Sequence, residues 1–238
     1  MAKRSPTRYR ADPDVSAAAA LIGDPARAAI LLALLDGSEL AASELAARGG
    51  SSPQAASAHL GKLAAGGLIT VRAAGRQRLY RLSGADVAHA IEALAAIAKP
   101  ARIVALSQNV ALERLRHARS CYDHLAGRLG VAVTRSLVAR NALRPSGETY
   151  ALTAHSGPFF AALGVDLARA SAQRRAFARA CTDWTERTPH LAGSLGASVR
   201  ERFLAAGWIE RNTADRSLRV TAAGRLELDR RFGIQLER

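Results

Sequence analysis

The chain has 238 residues, room for two ordinary domains, and its 34 Lys and Arg against 20 Asp and Glu leave a formal charge of +14, so polyanions are the expected partners. No run of about 18 apolar residues occurs, and the basic start meets Asp12-Pro13-Asp14 without an apolar signal core; a membrane span and a secretory leader are not expected, which predicts a cytoplasmic protein. Two cysteines, Cys121 and Cys181, are too few for a disulfide framework.

Residues 1–14, with Lys3, Arg4, Arg8 and Arg10 and little apolar content, read as a disordered basic arm. A short apolar helix follows from Val15 to Ile22. Asp24 then caps a second helix that Pro25 opens and that runs over Ala26–Leu35, with Ile30, Leu31, Leu34 and Leu35 on one face, until Asp36-Gly37 stops it.

Ser43–Arg48 predicts a short helix that Gly49-Gly50 breaks. Ser52-Pro53 opens a longer one over Gln54–Ala65, and the pair reads as a helix-turn-helix. Leu60 and Leu63 point inward in the second helix. Ser52, Gln54, Ser57, His59 and Lys62 are left as polar groups of the kind that reach base edges and phosphates.

After Gly66-Gly67 the apolar period falls to two. Leu68–Arg72, a turn at Ala73-Ala74-Gly75, and Arg76–Leu82 predict a hairpin rimmed by Arg72, Arg76, Arg78 and Arg81, in other words a wing beside the recognition helix. Ser83-Gly84 ends it. In the next helix Val87, Ile91, Leu94 and Ala98 form an apolar stripe suited to a partner helix, and Pro100 closes a domain of residues 15–100.

The order of these elements is similar to that of the ArsR/SmtB-type winged-helix repressors over residues 12–98. The motifs that carry the resemblance are Gly23-Asp24-Pro25-Ala26-Arg27, Ser57-Ala58-His59-Leu60-Gly61-Lys62-Leu63 and Ala65-Gly66-Gly67-Leu68-Ile69. It implies a homodimer joined through the first and last helices of the domain, at Val15, Val87, Ile91, Leu94 and Ala98, bound to an inverted repeat of double-stranded DNA and released by an inducer. Two of the family's metal sites are not expected here. Glu44-Leu45-Ala46 stands where arsenic and cadmium sensors carry Cys-x-Cys, and Asp86 and His89 lack the partners of the zinc and nickel sensors.

Residues 101–238 contain an internal repeat. His124–Val133 agrees with His190–Val199 at seven of ten positions, offset by 66. Each repeat reads as a helix, a short hairpin ending in Leu-Thr or Val-Thr, and a final helix. The predicted fold class is therefore mostly α with small β wings (α+β), the C-terminal domain being built of two duplicated winged-helix-like units. The segments Cys181–Arg187 and His190–Gly193 resemble the C-terminal extension of longer members of the same family, a resemblance that fixes no ligand.

A Cys-x-Asp pattern precedes both repeats. If the units pack about a pseudo-twofold axis, Cys121, Asp123 and His124 approach Cys181, Asp183, Trp184 and His190, the candidate effector residues. Packing, a small-molecule effector pocket, and a metal or redox switch all remain open readings of this group. No cofactor is expected and no metal site is assigned, a metal near Cys121 and Cys181 being the open alternative. Arg169, Arg174, Arg175 and Arg179, and Arg211, Arg216 and Arg219, form basic clusters that touch flanking phosphates or serve as solvated faces.

The expected function is a sequence-specific DNA-binding transcriptional regulator: a homodimeric repressor, released by an unknown small-molecule effector, with no enzymatic activity and no membrane partner. The alternatives are a non-specific architectural DNA-binding protein and a thiol-dependent enzyme. The second lacks a nucleophile elbow, P-loop or dinucleotide fingerprint.

Overall fold

A computed structural model describes residues 13–99 and 105–236. The predicted basic arm, apart from Pro13 and Asp14, lies outside the described residues, as does Pro100. The described residues divide into two compact units. One ends its first segment at Leu32 and continues over Leu40–Ser83; the other takes Ala33–Glu39 and everything from Gly84 onward.

The first unit begins with α1 (Val15–Ile22) and α2 (Pro25–Ala33). Asp24 caps α2 through the Arg27 amide at 2.9 Å, while the Arg27 guanidinium turns back to the Ala20 and Leu21 carbonyls at the open end of α1, each at 2.7 Å. One residue pair thus closes two helix ends. Next come β1 (Leu40–Ala41), α3 (Ala42–Arg48) and α4 (Pro53–Ala65), followed by β2 (Ile69–Ala74) and β3 (Gln77–Leu82) in a sheet of order β1-β3-β2. Ile30, Leu31, Leu45, Leu60, Leu63, Ile69 and Leu82 are buried. Their spacing sets one apolar stripe per helix inward.

The wing differs from its sequence reading in one detail. Ala73 pairs with Arg78 and Ala74 with Gln77, so the turn is the two residues Gly75-Arg76 and not Ala73-Ala74-Gly75. Gly75 takes φ +60°, which glycine adopts without strain, and a two-residue loop of this kind matches the strands' twist.

In the second unit α5 (Ala85–Ile97) is followed by α6 (Leu106–His117), then β4 (Arg119–Cys121), β5 (His124–Ala126), α7 (Gly127–Ala139), β6 (Leu143–Ser146), β7 (Thr149–Leu152), α8 (Ser156–Leu163) and α9 (Leu167–Ser171). The chain continues with β8 (Arg179–Thr182), β9 (Pro189–Ala192), α10 (Gly193–Ala205), β10 (Ile209–Arg211), β11 (Leu218–Val220) and α11 (Ala222–Phe232). The order hairpin, 13-residue helix, hairpin, helix occurs twice, from β4 to α8 and from β8 to α11. The segments read as the start of a helix at His124 and His190 are strands.

Helix formation waits for Gly127 and Gly193, at φ +73° and +81°. A Cβ there would stand 2.6 Å from the Arg116 carbonyl oxygen and 2.5 Å from that of Ala176, so only glycine fits the close approach of the preceding chain. Leu129, Val133, Leu137, Phe160, Leu195, Val199, Phe203, Trp208 and Phe232 belong to the main hydrophobic core of this unit, and Cys121, Ala126, Cys181 and Ala192 form a smaller one.

The helix α5, read from sequence as the end of the first domain, groups with the second unit. Its Ala88 and Ile91 are buried, and Glu92, 3 % exposed, pairs at 2.5 Å with Arg216, 8 % exposed. Among the described residues no single helix is long and apolar enough to cross a membrane.

Candidate nucleic-acid interface and a buried cysteine–histidine cluster

Ser52 caps α4 by accepting from the Ala55 amide at 3.2 Å, which commits its hydroxyl to the helix start. Ala56, Leu60 and Leu63 bury one face of α4. Gln54, Ser57, Ala58, Gly61 and Lys62 are exposed on the opposite side. Arg72, Arg76, Arg78 and Arg81 are exposed along the wing. A groove of about 510 Å³ runs between α4 and the wing, lined by Ser57, Gly61, Val71, Arg76 and Arg78 among others. His59 departs from this face: it is half-buried, and its Nδ1 stands 3.7 Å from the Asp24 carboxylate.

Of the residues expected to face a partner chain, Val15 and Leu94 are exposed, 70 % and 44 %, Ala98 is exposed and Val87 is half-buried. Ile91, only 5 % exposed, packs within its own chain. The sequence reading missed Ile97, 81 % exposed on the same helix.

In the second unit the candidate effector residues separate into a cluster and its supports. Cys121 pairs with His124 across the β4–β5 hairpin, and Cys181 with His190 across β8–β9. One donor atom from each of the four, a sulfur or an imidazole nitrogen, lies within 4.8 Å of the other three. Cys121, His124 and His190 are at most 1 % exposed and Cys181 is 7 %, so the four close on one another and leave no open cleft among themselves. Both cysteines are free.

The Cys121 thiol donates to Cys181, which with the two imidazoles beside it holds Cys181 far below a thiol's usual range; donating and burial push Cys121 up. Burial pushes His190 down. For His124 burial acts the same way, but Asp123 and Cys181 outweigh it and raise the value.

Asp123 and Asp183 stand behind the rings. Asp123 lies 3.3 Å from His124 Nδ1 and pairs with Arg175. Asp183 is fully buried, 3.4 Å from His190 Nδ1, and takes the Gly127 amide at 2.7 Å, the Thr185 amide at 2.9 Å and hydroxyl at 2.6 Å, and the Arg119 guanidinium at 2.9 Å. Burial opposes its charge, but Arg119 and these donors hold its carboxyl well below the usual range. Trp184 contributes packing, with the Arg119 guanidinium 4.7 Å from its ring centre.

Arg119, Arg175 and Arg216 were not legible as parts of this assembly. Arg216, read as a phosphate contact or a solvated charge, is neither, since Glu92 holds it inside the fold. Arg175 is tied to Asp123 and Arg219 to Glu210.

An exposed polar helix face beside an arginine-tipped wing defines a winged helix-turn-helix DNA-binding regulator. A family model described as a helix-turn-helix domain matches residues 22–72. The uncharacterized HTH-type transcriptional regulator YdfF of Bacillus subtilis (strain 168) is 39 % identical over 225 residues, covering 94 % of this chain and all of the relative. Among solved structures, NolR from Sinorhizobium fredii is 30 % identical with a TM-score of 0.36, covering 42 % of this chain and 100 % of its own. The cadmium metal-sensor CMTR from Mycobacterium tuberculosis is 30 % identical with a TM-score of 0.31, covering 38 % and 98 %. The chain belongs to the helix-turn-helix (HTH-type) transcriptional regulators.

Proposed function

We propose that the protein is a homodimeric, sequence-specific repressor that sets α4 in the DNA major groove and is released by an effector acting on its C-terminal residues. The observation that carries this reading is the groove between α4 and the wing, with Gln54, Ser57 and Lys62 exposed on the helix and Arg76 and Arg78 on the hairpin. Gln54 and Ser57 have the chemistry to read base edges; Lys62, Arg72, Arg76 and Arg78 that of phosphate or minor-groove contacts. Ser52 positions the helix, and His59 acts through Asp24. Exposed Val15, Leu94 and Ile97 supply apolar surface for a second copy.

A twofold dimer predicts a palindromic site with half-sites about 10 bp apart, one helical turn. Selection from a random duplex library tests it. Recovery of such an inverted repeat, bound roughly 10³-fold or more above random duplex, is expected, and equal affinity for all duplexes sinks the reading in favour of an architectural protein. Sedimentation of Leu94→Glu/Ile97→Glu checks the dimer: the variant is expected as a monomer, and an unchanged dimer moves the interface elsewhere.

A further inference from the structure

We propose that Cys121, His124, Cys181 and His190 form a closed tetrahedral site for one Zn²⁺ ion per chain. Two thiolates and two imidazoles are a zinc donor set, and with Zn²⁺ they form a neutral centre that the fold can bury without an uncompensated charge. Bonds of roughly 2.0–2.3 Å give a tetrahedron with edges of roughly 3.3–3.8 Å. The four donor atoms already lie within 4.8 Å of one another, so the widest pair has about 1 Å to close.

A second observation points the same way. Nε2 of His124 and Nε2 of His190 are both buried without a hydrogen-bond partner, and an orphaned buried nitrogen is costly. A metal ion satisfies both at once. Behind the rings, Asp123 bonds Nδ1 of His124, a carboxylate–histidine relay of the kind that orients an imidazole ligand, while Asp183 stands 3.4 Å from Nδ1 of His190, which has no hydrogen-bond partner. A disulfide between Cys121 and Cys181 would leave both nitrogens orphaned.

With four protein ligands and no open position, the ion joins the two hairpins and does not present itself to a substrate. Beyond Asp123, Asp183, Arg119 and Arg175, the titratable neighbours are His89 and Glu92 of α5 and Arg216. The site is independent of the DNA-binding proposal: a chain that selects no DNA sequence can still take zinc.

Reduced, chelator-stripped full-length protein is titrated with ZnCl₂ against a chromophoric chelator, and separately with CoCl₂. One equivalent of Zn²⁺ per chain is expected, and the Co²⁺ form should show the intense visible bands of tetrahedral cobalt with near-ultraviolet thiolate charge transfer. Cys121→Ser should lose about half of that charge transfer and bind zinc about a hundredfold more weakly; Asp123→Asn should lose 10- to 100-fold. No stoichiometric uptake by the reduced wild type overturns the proposal, as do the weak bands of octahedral cobalt. Should Cys121→Ser fail to fold, which circular dichroism reports, the wild-type cobalt spectrum decides alone. A protein isolated with a Cys121–Cys181 disulfide that takes no metal after reduction is a redox pair and not a zinc site.

Discussion

The imidazoles of His124 and His190 face one another with ring centres 5.1 Å apart and planes tilted by 34°, each carried on the second strand of its own hairpin. Their strand partners are the chain's two cysteines, so His124 and His190, 66 apart in sequence, and Cys121 and Cys181, 60 apart, occupy matching places in two hairpins.

Phosphate contact by the wing is read from salt dependence. Arg76→Ala/Arg78→Ala should weaken binding to all duplexes alike and reduce the slope of log K against log salt by roughly 2, since each neutralised phosphate contributes about 0.9. Gln54→Ala should instead cost about 1–3 kcal/mol on the selected site and little on random duplex. A wing variant with an unchanged slope removes these arginines from the interface.

Glu92→Ala leaves the Arg216 guanidinium buried without its carboxylate, a change that costs about 3–5 kcal/mol when an enclosed ion pair loses one member. Denaturant unfolding should show the midpoint fall accordingly. A loss below about 1 kcal/mol would mean that the pair is solvated in solution.

Gly193→Ala and Gly207→Ala separate backbone conformation from crowding. Both glycines have positive φ, +81° and +66°, which costs an L-residue about 1–2 kcal/mol. A Cβ at Gly207 meets nothing within 4 Å, whereas at Gly193 it lies 2.5 Å from the Ala176 oxygen and 2.7 Å from that of Phe177. Gly207→Ala should therefore lose about 1–2 kcal/mol and fold, while Gly193→Ala should lose clearly more or fail to fold. Equal losses would show that the chain before β8 moves aside.

Asp215 ties stability to acid. Burial pushes its carboxyl up, but the Ser217 hydroxyl and amide and the Arg114 guanidinium at 3.0 Å outweigh burial and hold it below the usual carboxylate range. A depressed native value means that its contribution is present above the unfolded value, about 3.9, and is lost as pH falls through the native one. The pair is part-exposed, so solvent screening keeps the effect to about 1 kcal/mol or less. Asp215→Asn should destabilise at neutral pH and progressively less as the pH falls below the unfolded carboxylate value, about 3.9; an equal difference at all pH values would count against the ionic origin.

Legibility in the sequence follows the length of each signal. The start of α4 could be read because Ser52 and Pro53 act within one turn, and the wing because Ile69–Arg72 alternates apolar with polar residues and Gly75 marks the turn. Strands β4 and β5 have three residues each, too short for a period, so in sequence His124-Leu125-Ala126 reads as the start of a helix. The repeat still drew attention to both cysteines and both histidines. It carried no information that Cys121 would pair with His124, three residues on, and Cys181 with His190, nine on, because strand register depends on turn length. Arg216 escaped for another reason: a count of charges does not say which guanidinium finds a buried carboxylate.

The division of the cluster between two hairpins also orders its assembly during synthesis. Cys121 and His124 leave the ribosome on the first hairpin well before Cys181 and His190 exist, so the early pair waits, half complete, until the later hairpin has formed against it. A chain arrested between them carries a thiol and an imidazole with no mates, and a frameshift after α9 would remove Cys181 and His190, leaving half the cluster, while the sequence of the DNA-reading unit stays unchanged.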